Sequence, residues 1–109
     1  MNYLRISIAA AGLSLASYAF AADVDSNWTD KCASCHGKDG QADTKMGKKL
    51  KIRSMADAEF QGSFTDDQAV KAVKEGIKDT TGKVKMKPIE GLADDEITAL
   101  VAHVRSLKK

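Results

Sequence analysis

The chain has one proline, Pro88, two cysteines, Cys32 and Cys35, and two histidines, His36 and His103, in 109 residues. These scarcities exclude a good deal. A structural zinc site needs four ligands at short spacings, and His36 and His103 lie far outside the usual His-x(3–5)-His interval. A redox disulfide of thioredoxin type needs a βαβ surround, whereas this chain shows helical periodicity and no strand run. A plain disulfide between Cys32 and Cys35 fits an oxidising compartment, but it would close a very small loop and leave His36 without a role. Charge of either sign is not in large excess: 17 basic against 15 acidic residues give a formal +2, which calls for neither nucleic acid nor an anionic membrane as partner. Of six aromatic residues, Tyr3, Tyr18 and Phe20 fall near the N-terminus, which leaves Trp28, Phe60 and Phe64 for the rest.

No apolar run reaches the roughly 20 residues that a comfortable membrane span requires. The longest, Ile6 to Phe20, follows a short basic start at Met1 to Arg5 and precedes Ala19-Phe20-Ala21, which fits the small-x-small cleavage rule. The pattern predicts a signal peptide over 1–21 and a single domain over 22–109, with an uncleaved anchor as the competing reading. Cleavage removes Arg5 and no acid, so the exported protein carries a formal charge near +1. About 88 residues then remain, and a chain that short has a thin core that commonly needs a staple.

The stretch that supplies one is Cys32-Ala33-Ser34-Cys35-His36. A Cys-x-x-Cys-His run reads as a covalent attachment site for haem c. Residues three apart on a helical turn share a face, so both thiols reach one edge of the porphyrin, and His36 follows at once as proximal ligand. From these residues the chain resembles the class I cytochromes c over roughly Asp25 to Leu107. The resemblance implies an all-α cytochrome c fold, with three main helices and loops around one covalently attached haem. The buried macrocycle would be the missing apolar centre, so folding is expected to depend on it.

Along the chain, residues 25 to 35 predict a first helix capped by Asp25 or Ser26. Gly37 to Gly47 reads as a loop, Lys48 to Arg53 as a short helical or irregular segment, and Met55 to Phe60 as one helical turn capped by Ser54. Thr65-Asp66-Asp67-Gln68 is a capping box that opens a helix with Ala69, Val70, Val73 and Ile77 as its apolar stripe. Residues 78 to 92 read as a second loop. A last helix starts at Asp94-Asp95-Glu96, acids suited to the positive end of its dipole, with Ile97, Leu100, Val101, Val104 and Leu107 on its inner face. The resemblance implies that Trp28 packs on this helix facing His103, and that a backbone carbonyl in the first loop accepts from the His36 ring, although no proline is there to supply it.

The far side of the iron decides between electron transfer and chemistry. The resemblance assigns that side to Met86, in the loop just before Pro88. Met46 is the second candidate, Met55 reads as core filling, and His103 would give bis-histidine ligation. With His36 and Met86 as axial ligands no site is left open for a substrate, so the chain reads as a periplasmic one-electron carrier and not an enzyme. Lys83, Lys85 and Lys87 around Met86, and the run from Lys45 to Arg53, suit an acidic docking surface on a redox partner protein. A monomer without stable membrane insertion is expected. The alternatives are a haem subunit of a larger oxidoreductase complex, and a five-coordinate haem protein with gas-sensing or peroxidase activity.

Overall fold

The computed structural model describes residues 24–109; the expected signal peptide, 1–21, lies outside the described residues. The chain is already helical at Val24 and stays so over 24–31 (α1), so Asp25 and Ser26 sit inside the helix instead of capping it. A break at Cys32 separates α1 from α2, Ala33–His36. Next comes α3, Lys45–Lys49, earlier than the pattern of basic residues suggests, because Thr44 caps it by accepting from the Gly47 amide. Asp57, not Ser54, caps α4, Ala58–Gln61. Ser54 instead accepts from the Ala56 amide in the preceding turn.

The expected capping box is formed: Thr65 accepts from the Gln68 amide, and the Gln68 side chain accepts from the Thr65 amide, at the start of α5, Asp66–Glu75. Gly76, at φ +76°, ends that helix. Where a plain loop is expected the chain forms a small antiparallel hairpin, β1 (Ile77–Lys78) with β2 (Val84–Met86). Ile77 therefore leaves the α5 stripe and is 44% exposed. The β-branched Ile77 and Val84 suit extended backbone, and Gly82 at φ +85° allows the turn between them. The last helix, α6, spans Asp94–Ser106.

Packing centres on Trp28, Met55 and Leu100, at 3%, 9% and 2% exposure, with Cys32, Phe60, Leu92, Val104 and Leu107 against them. Ile97, Leu100 and Val101 are buried on the inner face of α6, as their spacing predicts. Polar ties supplement this small core. The buried Gln61 donates from its amide to the carbonyls of Met55 (2.7 Å) and Val104 (2.8 Å). Arg105 donates to the Gln61 carbonyl and amide oxygens, to the Phe64 carbonyl (2.7 Å) and to Asp66 (2.8 Å), with its guanidinium over the Phe64 ring. The amide and the guanidinium are thus well supplied with partners, and α6 is pinned to the α4–α5 connection.

Glu96 joins the two ends of the described chain. Its carboxylate accepts from the Ala93 amide at the start of α6 (3.0 Å) and from the Asn27 side chain on α1 (2.9 Å). Those bonds, the Ala93 amide first, hold its carboxyl below the ordinary value of 4.5. A depressed carboxyl adds stability that is complete above its unfolded-state value and disappears as pH falls through the folded-state value. Glu96→Ala should therefore lower the thermal midpoint at neutral pH, and the gap to wild type should close in acid. A gap that is constant with pH in a melting series would contradict this origin.

Candidate haem-attachment site

The attachment turn is built from backbone bonds. The Cys35 and His36 amides donate to the Cys32 carbonyl at 3.3 and 3.0 Å, and the Gly37 amide to the Ala33 carbonyl at 2.8 Å. Gly37, at φ +82°, takes the chain off the helix in a conformation that favours glycine. Cys32 and Cys35 are both free thiols, half-buried, on this one turn. Burial, then the neighbouring Cys35, pushes the Cys32 thiol up to about 11.

The loop after His36 is clamped to the turn. Thr44 donates its hydroxyl to the Cys35 carbonyl at 2.8 Å while accepting from the Gly47 amide. Gly47 lies so close to the turn that a Cβ there would stand 2.7 Å from the Cys35 oxygen and closer still to that of Ala42. Only glycine lets α3 approach α2 in this way. Ala42 adopts φ 57°, an uncommon choice for a residue with a Cβ, and its amide donates to the His36 carbonyl at 2.7 Å.

Behind the turn three rings form a ladder. The Trp28 centroid lies 6.1 Å from that of His36 and 4.9 Å from that of His103, so His103 does face Trp28. The indole N–H donates to the Gly37 carbonyl at 3.1 Å. Burial lowers the pKa of His36, which keeps its ring neutral, the form that can donate a nitrogen lone pair to a metal. Its Nδ1 is buried and has no hydrogen-bond partner among the described residues. The expected carbonyl acceptor for the His36 ring is therefore not in place among the described residues.

Met86 stands on a different element. It is half-buried on β2, paired with Ile77, and its backbone carbonyl lies close against Gly76 at the end of α5. Met55 is core, as its reading predicts, and Met46 is 40% exposed on α3. The basic run is less uniform than its sequence suggests: Lys48 pairs with Asp43 and Arg53 with Asp57, both at 3.1 Å. The roles of Thr44 and of the indole–Gly37 bond are not evident from the sequence. A threonine three residues before Gly47 is the usual sign of a helix cap, but its second bond to Cys35 has no local signal.

This donor set fits covalent haem: two half-buried neighbouring thiols, an adjacent neutral imidazole, and an orphaned buried nitrogen on that ring. The comparisons agree. The family model for cytochrome c matches residues 21–108. Among solved structures, the KustC0563 c-type cytochrome is 34% identical with a TM-score of 0.65, over 78% of this chain and 96% of that one. A point mutant of Kustc0563 is 33% identical with a TM-score of 0.64, over 79% and 99%. No curated protein matches.

The chain belongs to the cytochrome c family, with its all-α fold and covalent haem c. It is thus a haem-based electron carrier, and Cys32 and Cys35 fit the attachment motif. Purified protein should keep its pigment through denaturation and solvent extraction, and its mass should exceed that of the polypeptide by one haem. Cys32→Ala with Cys35→Ala should release all pigment under the same extraction; pigment retained by the double variant would place the attachment elsewhere.

Proposed function

We propose that this chain is a periplasmic one-electron carrier whose haem c is held by Cys32 and Cys35, with His36 and Met86 as the axial ligands of its iron. The observation that carries the reading is the attachment turn, which sets Cys32, Cys35 and the His36 ring together, with the ring beside Trp28. A haem bound here supplies a reversible one-electron couple. The protein's part is to orient the imidazole through α2, to limit water around it with Trp28 and α6, and to present a thioether from β2. Sulfur ligation favours the reduced state and raises the potential. Met86→Ala should abolish the ferric charge-transfer band near the red edge of the spectrum and lower the potential by on the order of 100 mV, part of the ~0.8 V that axial ligation spans. A persistent band would remove Met86 from the iron.

Charge supports a protein partner. Lys83, Lys85 and Lys87 are exposed around Met86, and Lys45, Lys49 and Lys51 are exposed on and just after α3. Among the described residues only Lys85 of these six has an acidic partner, Asp79 at 4.0 Å. Unpaired lysines near the site would steer an acidic docking surface. Electron transfer to such a partner should slow about tenfold between low and physiological salt, where the screening length is roughly 8 Å. Stopped-flow rates indifferent to ionic strength would remove the docking role and leave the carrier role intact.

A further inference from the structure

The hairpin that carries Met86 is too small to set its own register. It has two pairs, Ile77 with Met86 and Lys78 with Val84, and the ladder is irregular between Ile77 and Lys78. Ile77 and Val84 are exposed, at 44% and 48%, so apolar burial contributes little. Isolated two-stranded hairpins are marginal, and a slip of one residue turns every side chain to the opposite face.

Two clamps hold it. At the base, the Ile89 amide donates to the Val73 carbonyl of α5 at 2.8 Å. Gly76 there sits so close that a Cβ would stand 2.9 Å from the Pro88 ring. At the tip, one carboxylate oxygen of Asp79 accepts three bonds: from the Thr81 amide (2.9 Å), the Thr81 hydroxyl (2.5 Å) and the Lys83 amide (3.0 Å). The backbone repeats the closure, with the Asp79 amide on the Lys83 carbonyl (2.9 Å) and the Gly82 amide on the Asp79 carbonyl (3.0 Å). Asp79 thus closes the turn between the strands, and among the described residues the only other side chain that hydrogen-bonds within this turn is Thr81, whose partner is Asp79 itself.

We propose that Asp79 is a positioning residue: by gathering Thr81 and Lys83 it sets the β1–β2 register and thereby the face to which Met86 turns. The consequence for the iron rests on the reading of Met86 as axial ligand; the register itself does not. The base clamp holds the hairpin against α5 at the Ile77–Met86 end, and the tip holds the other end of the ladder, beyond the irregularity between Ile77 and Lys78.

The test uses the haem-loaded protein in four forms: wild type, Asp79→Ala, Asp79→Asn and Met86→Ala. Asparagine keeps the accepting oxygen and removes the charge. Imidazole is titrated against the ferric charge-transfer band, and amide hydrogen exchange is followed at Thr81 and Lys83. Asp79→Ala should lose the band at about tenfold lower imidazole and exchange those two amides about tenfold faster, while Asp79→Asn stays within about twofold of wild type. The Trp28 fluorescence and the potential of Asp79→Asn should match wild type. Wild-type behaviour of Asp79→Ala in the exchange experiment overturns the proposal, as does equal impairment of both Asp79 variants. If wild type shows no band and Met86→Ala changes nothing, the ligand reading has failed. Exchange at Thr81 and Lys83 then still decides the register.

Discussion

The burial of one indole organises this molecule. Trp28 touches the imidazole of the attachment turn, the imidazole of the last helix and the carbonyl that follows the turn. α1, α2, the first loop and α6 therefore meet at a single side chain. An aromatic ring with a polar edge suits that position, because it fills apolar volume and still satisfies its own N–H. The orientation of His36 follows from this contact, and the chemistry of the site follows from His36.

The core around the indole is small, and the structure compensates with directed polar bonds. Among the described residues, Trp28, Met55 and Leu100 form the buried cluster. Gln61 and Arg105 tie three segments together through the carbonyls of Met55, Val104 and Phe64. Such bonds are modest in net strength but strongly directional, and leaving any of them unmade in a buried place is costly. They fix where elements sit, whereas apolar burial mainly decides that they sit together. In a domain of this size the prosthetic group then adds apolar contact area that the side chains do not provide.

The parts legible in the sequence are those fixed by covalent spacing or by local hydrogen bonds. Cys32, Cys35 and His36 are separated as the chemistry of attachment requires, so the motif reads directly. The Thr65 and Gln68 box and the apolar spacing of α6 read for the same reason: cause and consequence lie within one turn. The facing of Trp28 and His103 was available only through family resemblance, as was the choice of Met86. What the sequence hides depends on distant or unpatterned contacts. The hairpin has strands of two and three residues, too short for any alternation to register, and is made by the side chain of Asp79. The early start of α3 depends on how closely Gly47 approaches a carbonyl twelve residues upstream. That Nδ1 of His36 has no acceptor among the described residues is visible only in three dimensions.

The bond between Asn27 and Glu96 spans 69 residues. Together with the stacking of Trp28 on His103, it makes the fold close between its first and last helices. Closing so long a segment carries a loop-closure entropy that the bond and the stacking must offset. A growing polypeptide therefore cannot complete its pocket from one end. The cysteine-bearing turn is enclosed from both sides at once, by the indole of α1 and by the thirteen-residue last helix stacked on it.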